Sequence, residues 1–207
     1  MKNTFFITGI GTDVGKTIAS AIVVEALEAD YWKPIQAGDL DYSDTHKVQE
    51  LVSNTTSQFY ANSYALQTPM SPHAAAAIDS IKIDTVSIKA PKTNNTLVIE
   101  GAGGLLVPIN DEETIAELIQ PNHKVIVVSR HYLGSINHSL MTLELLQQRG
   151  YSIVGIIFNG NPHPTTEEII LKMSGVKMLG RINEEPEITA EMVKKYAAQF
   201  KTTLTSL

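Results

Sequence analysis

The sequence predicts an α/β domain over residues 1–207, with a mostly parallel central sheet and helices on both faces. Three observations predict it. Short apolar runs rich in Val and Ile recur along the chain and do not alternate with polar residues, as strands covered on both faces require. Segments with apolar positions at helical spacing separate them. The regular succession of strand and helix implies right-handed crossovers, and hence parallel neighbours.

In chain order the strand runs are residues 5–8, 31–35, 97–99, 125–129, 153–158 and 176–179. The helical patterns cover 17–29, 45–53, 136–149, 165–174 and 189–200. Turn signals separate them at Gly38-Asp39, Gly101-Ala102-Gly103-Gly104, Gly150 and Asn159-Gly160-Asn161-Pro162. The polar stretches 54–57 and 92–96 read as surface connections. Residues 194–207 read as an amphipathic helix with a frayed end. No repeat, low-complexity tract or domain linker interrupts the pattern. In such sheets, ligands bind beyond the carboxyl ends of the strands.

Composition narrows the function classes. The 207 residues are 43% hydrophobic, enough for one real core. With 16 Lys+Arg against 22 Asp+Glu, the net charge of -6 argues against nucleic acid as a partner. There is no cysteine, so a disulfide framework, a thiolate metal site and a cysteine nucleophile are excluded. The opening apolar stretch is too short for a signal peptide, and no segment approaches the roughly 18 apolar residues of a spanning helix. The expectation is an unprocessed cytoplasmic protein without membrane association.

Gly9-Ile10-Gly11-Thr12-Asp13-Val14-Gly15-Lys16-Thr17 follows the first strand and opens a helix, the context of a phosphate-binding loop. Glycines let the backbone amides approach phosphate oxygens, and the helix N-terminus adds favourable potential. Lys16 supplies positive charge to the outer phosphates, and the Thr17 hydroxyl is a magnesium ligand candidate. The spacing departs from the common form, since Ile10 stands where the first glycine would and five residues separate Gly9 from Gly15. The loop predicts a P-loop NTPase fold binding a nucleoside triphosphate with Mg2+.

Magnesium on a triphosphate takes hard oxygen ligands. Glu100 follows an apolar strand and precedes four small residues, which places its carboxylate at the sheet's carboxyl edge. Asp44, in an acidic run after another strand, either completes the metal shell or caps the helix that follows. Lys33, between Trp32 and Pro34 at a strand end, either snorkels from the sheet edge or faces the phosphate site, where it would stabilise charge on the transferred phosphoryl group.

Taken in order, Gly9 through Thr17, Lys33-Pro34-Ile35-Gln36-Ala37-Gly38, Ser43-Asp44, Ser71-Pro72-His73-Ala74-Ala75, Glu100-Gly101-Ala102-Gly103-Gly104 and Leu133-Gly134-Ser135-Ile136-Asn137-His138 resemble the dethiobiotin synthetase family across most of the chain. The resemblance implies that 7,8-diaminononanoate, CO2 and ATP give dethiobiotin, ADP and phosphate. It implies a carbamate on the 7-amino group, phosphoryl transfer to that carbamate, and ring closure by the neighbouring amine. Carried over by residue, Lys16 and Lys33 become the catalytic lysines, and Thr17, Asp44 and Glu100 the magnesium set. Thr12, Asp13, Val14, Gly15, Gly101, Ala102 and Gly103 join them around ATP, and Asn159 reads the adenine edge. Ala37, Gly134, Ser135, Ile136 and Asn137 fall on the substrate site, with the substrate carboxylate gripped by the partner subunit of a homodimer; Ser135 also reads as a plain helix cap.

Two departures stand out. Ala37 occupies a position where the family usually carries Ser or Thr, and Asp13 one where it often carries Glu. His73 matches a family histidine but is left outside the catalytic set. Competing expectations are a corrinoid-type amidoligase, which would need a further domain for ammonia supply, and a partitioning-type switch ATPase, which would carry a lysine at the start of the loop where this chain has Gly9-Ile10.

Overall fold

The computed structural model describes residues 3–207. Nine strands are present among them: β1 (Thr4–Gly9), β2 (Asp30–Trp32), β3 (Ile35–Ala37), β4 (Phe59–Tyr60), β5 (Tyr64–Leu66), β6 (Leu97–Gly104), β7 (His123–Arg130), β8 (Ser152–Asn159) and β9 (Met178–Ile182). The helices are α1 (Lys16–Leu27), α2 (Asp44–Leu51), α3 (Pro72–Ile78), α4 (Ser135–Gln148), α5 (Pro164–Ser174) and α6 (Ala190–Thr205). Seven strands form one sheet in the order β4-β2-β6-β1-β7-β8-β9, and every pairing in it is parallel. A second, parallel pair joins β3 and β5.

The continuous apolar runs explain the layering. Phe5, Phe6 and Ile7 of β1 and the Val125 to Val128 run of β7 are fully buried, because both faces of the central strands are covered. Helices α1, α2 and α6 pack together as one layer, and α4 and α5 as another. Helix α1 buries eight of its twelve residues, Ala19, Ile22, Val23 and Ala26 among them, since it is wedged between the sheet and α6. Full burial of each such Ile or Val contributes about 1.5–3 kcal/mol.

Four boundaries differ from the sequence reading. The run at 31–35 divides into β2 and β3 around Lys33-Pro34, because proline has no N–H to continue a ladder. The four-residue signal at Gly101 to Gly104 is not a turn; β6 continues through it, with Gly104 paired to Gly9 of β1. The last strand is displaced to Met178–Ile182, because its pairing with β8 extends to Asn159↔Ile182. The C-terminal helix continues to Thr205 instead of fraying, held by buried Leu204. Strands β4 and β5 and helix α3 have no counterpart in the sequence reading. Among the described residues, no helix is long and apolar enough to cross a membrane.

Candidate active site

The loop between β1 and α1 is built from the backbone outward. Val14 turns its side chain into the core, and the Asn159 amide at the end of β8 donates to the Val14 carbonyl at 2.9 Å. Gly15 follows at φ +94, and a Cβ there would lie 2.2 Å from Asn159 Nδ2. Only glycine adopts that conformation without strain and leaves room for the amide that fastens the loop. Thr12 and Asp13 face the cavity beyond the loop, and Arg130 reaches the Asp13 carbonyl at 3.4 Å. Lys16 begins α1 and folds back, donating from Nζ to the Gly11 carbonyl at 2.8 Å. Burial lowers its pKa to about 8, partly offset by the negative charge of Glu100, while the neighbouring Lys33 lowers it further.

Opposite the loop lies a knot of charges. Lys33, 5% exposed, pairs with Asp44 and donates to Glu100 Oε1 at 3.1 Å. Burial alone would lower the Lys33 pKa, but the two carboxylates outweigh it and hold the ammonium charged above its ordinary range. Burial likewise opposes the ionised form of Asp44, and Lys33, then Lys47 at 3.2 Å, bring its pKa below the usual carboxylate range. Glu100 is 1% exposed and accepts from the Thr17 hydroxyl at 3.0 Å on Oε1 and from the Tyr31 hydroxyl at 2.8 Å on Oε2. Asp44 does not cap α2. Ser43 takes that place, its N–H donating to His46 Nδ1 at 3.0 Å, and the Asp44 carboxylate is left for the lysines.

Lys16, Thr17, Lys33, Asp44 and Glu100 all line one cavity of about 690 Å3. Two carboxylates that already converge on one ammonium, beside a hydroxyl, form a hard-oxygen environment that attracts positive charge. Among the described residues no group of three or more His, Cys, Asp or Glu side chains is placed to hold a metal ion by itself. Two carboxylates and a hydroxyl are a donor set that fits Mg2+, which takes one or two carboxylates and completes its shell with phosphate oxygens and water.

Of the other anticipated residues, Ala37, Ala102 and Gly103 line the same cavity. Gly101 does not: a Cβ there would meet Ile115 and Phe6, on the core side of β6. Gly134, Ser135, Ile136 and Asn137 are absent from the cavity wall of their own chain. Ser135 is buried as the first residue of α4 with Gly134 as the cap, which corrects the reading of Ser135 as a cap, while Ile136 and Asn137 are exposed. His73 is exposed on α3 and is not part of the cavity lining, although Ser71 and Pro72 just before it are.

Sequence reasoning missed Tyr31, Lys47, Pro69 and Met70, and it quoted Ser71-Pro72 in a motif without giving either residue a place in the site. Tyr31 carried a signal in its spacing, two residues before Lys33 and so on the same side of an extended chain. Lys47 carried another, one helical turn after Asp44.

With this geometry established, comparisons with known proteins are informative. A family model described as an AAA domain matches residues 3–192. The ATP-dependent dethiobiotin synthetase of Christiangramia forsetii is 61% identical over 201 residues, covering 97% of each chain. That of Cytophaga hutchinsonii is 47% identical over 95% of this chain and 96% of its own. Among solved structures, the septum site-determining protein MinD of Pyrococcus horikoshii aligns with a TM-score of 0.56 at 14% identity, over 98% of this chain and 90% of its own. A putative plasmid partition protein of Borrelia burgdorferi aligns at 0.58 and 12% identity, over 100% and 99%. At such identities these two show a shared P-loop NTPase fold and nothing finer.

Proposed function

The chain belongs to the family of ATP-dependent dethiobiotin synthetases, and from that premise we propose that it closes the cyclic urea of dethiobiotin from 7,8-diaminononanoate, CO2 and ATP at the cavity beside its phosphate loop. It is a C–N bond-forming ligase. The observation that carries the assignment of the site is the convergence of Lys16, Lys33, Thr17, Asp44 and Glu100 on one cavity.

The residues divide the work as follows. Backbone amides from Thr12 to Thr17 and the start of α1 receive the phosphates. Lys16, released from the Gly11 carbonyl, neutralises the outer phosphates; Lys33 moves from the carboxylates to the equatorial oxygens of the transferred group. Thr17, Asp44 and Glu100 would hold Mg2+, which supplies charge neutralisation and orientation of the triphosphate when bound. The 7-amino nitrogen forms its bond to CO2 and loses a proton, giving a carbamate. A carbamate oxygen takes the γ-phosphoryl group as ADP leaves. The second amine then attacks the carbonyl carbon and loses a proton, the C–O bond to phosphate breaks, and phosphate departs with the ring closed. No covalent link to the enzyme is required, because ATP provides the leaving group.

Asn159 is proposed to read the adenine edge while its Nδ2 anchors the loop. Gly134 to Asn137 would grip the substrate carboxylate across a homodimer interface, which accounts for their absence from their own chain's cavity. Ala37 offers no hydroxyl to the substrate; Ser71, in the lining of the same cavity, carries one. The reaction belongs in the cytoplasm, with its ATP. The switch-ATPase reading has support only in the shared fold.

The deciding experiment measures ATP turnover with magnesium and bicarbonate, with and without 7,8-diaminononanoate, and follows the product by mass. Diamine-dependent turnover with gain of one carbonyl unit is expected. Turnover indifferent to the diamine would overturn the assignment.

A further inference from the structure

We propose that Tyr31 is a positioning residue for the magnesium carboxylate, its phenol fixing which oxygen of Glu100 faces the bound cation. The inference rests on the reading of Glu100 as a metal ligand and goes beyond it. Tyr31 lies in β2, beside β6, with Tyr31 registered to Val98 and Trp32 to Ile99. It is fully buried, and its ring packs near Phe59 at 6.3 Å between centroids. A phenol enclosed in a strand layer must find a polar partner, and its partner is Glu100 Oε2 at 2.8 Å.

The division of donors on Glu100 is uneven in a useful way. Oε1 accepts from the Thr17 hydroxyl at 3.0 Å and from the Lys33 ammonium at 3.1 Å. Oε2 accepts from Tyr31. The cavity side of the carboxylate is therefore Oε1, and the buried side is held by a neutral hydroxyl on a rigid strand. When Lys33 leaves for the phosphoryl group, Glu100 keeps one donor at its buried oxygen and has no reason to rotate. Without the hydroxyl, Oε2 would be an unsatisfied anionic oxygen in a dry environment, and the carboxylate would turn toward whatever donor remained.

Partners that orient a metal ligand typically change metal affinity by 10–100-fold when removed. The test is Tyr31→Phe, which keeps the ring and deletes only the hydroxyl. Mn2+ binding to the protein–ADP complex, read by electron paramagnetic resonance, is expected to weaken about 10-fold, with ADP affinity in chelator unchanged. A residue with a merely structural role would lower the urea midpoint and leave the Mn2+ constant alone, and that result overturns the proposal. Glu100→Gln separates the two layers of the argument. If it binds Mn2+ as the wild type does, the metal reading itself fails; if it is impaired and Tyr31→Phe is not, only the positioning role fails. A measurement independent of any variant's folding uses wild-type protein with 13Cζ-labelled tyrosine. The Tyr31 resonance is expected to move when Mg2+ joins the ADP complex, and a stationary resonance overturns the proposal.

Discussion

Glu100 and Glu167 are both buried glutamates, 1% and 5% exposed, but the donors around them differ in kind. Glu167, on α5, is clamped by the Arg181 guanidinium, with Nε at 3.1 Å from Oε1 and a terminal nitrogen on Oε2. His131 Nε2 lies 2.9 Å from Oε1, and the His163 N–H donates to it at 3.2 Å. Burial opposes its charge, but Arg181, the His163 amide and His131 bring its pKa below the usual carboxylate range. A forked guanidinium and a backbone amide are donors that do not leave. Around Glu100 the cationic donor is a lysine on a flexible stem, and the cavity opens beside it. A carboxylate locked by arginine ties β9 to α5; one shared with a lysine and a hydroxyl can exchange its cation.

The largest effect that tests this contrast is on turnover. Lys16→Ala and Lys33→Ala are each expected to keep the fold and lose about 10²–10³-fold in kcat, the usual effect of removing one stabilising donor from a transition state. Near-normal steady-state rates in either variant would remove that lysine from the mechanism and weaken the distinction. The complementary change, Glu167→Gln, leaves Arg181 half-paired. It is expected to cost about 2–3 kcal/mol in urea unfolding, below the figure for a fully buried pair because a quarter of the Arg181 side chain is in water. The kcat of the folded fraction should stay within about twofold of wild type; a large loss would place the Glu167 cluster in the active site.

Gly15→Ala probes the loop between the two regions. The left-handed backbone alone costs about 1–2 kcal/mol for a residue with a Cβ, and the collision with Asn159 adds to it. Nucleotide affinity, followed by calorimetry, is expected to fall at least about 10-fold, and unchanged affinity would show that the Asn159 anchor is dispensable.

The smallest effect is a background on which any pH profile must be read. Burial lowers the pKa of His123, at the start of β7, to about 4, and its Nδ1 accepts from the Gln120 N–H at 3.0 Å. The unfolded chain binds a proton there near pH 6.5 and the folded chain does not, so its contribution to stability is complete above pH 6.5 and declines as the pH falls toward 4. Between pH 6.5 and 5.5 the loss is about 1 kcal/mol, and His123→Gln should flatten that segment of the urea-midpoint profile. An unchanged slope would assign the acid response to other groups.

How much of this was legible in the sequence varies with the range of the interaction responsible. The phosphate loop and α1 were legible because glycine, lysine and threonine act there through local geometry. Glu100 was legible because a charge after an apolar run is costly unless used. The continuation of β6 through four small residues was not, since it depends on Gly104 pairing with Gly9 beyond an irregularity in the ladder, with Gly103 at φ +67. The spacing of Tyr31 from Lys33 was a signal of its side but not of its role, because a strand tyrosine reads as core until its hydroxyl partner, 69 residues away, is located. The hold of Asn159 on Val14 spans 145 residues and left no local trace.

The far end of β6 has one more consequence. A Cβ on Gly104 would lie 3.4 Å from the Gly11 Cα, so the phosphate loop rests on bare main chain, with no side chain between the two. The height of the loop above the sheet is thus gauged by covalent backbone dimensions, which do not vary with rotamer or residue volume. Substitutions that repack the interior can accumulate elsewhere without altering that clearance, whereas a methyl group at Gly104 would come into van der Waals contact with the main chain of the loop itself.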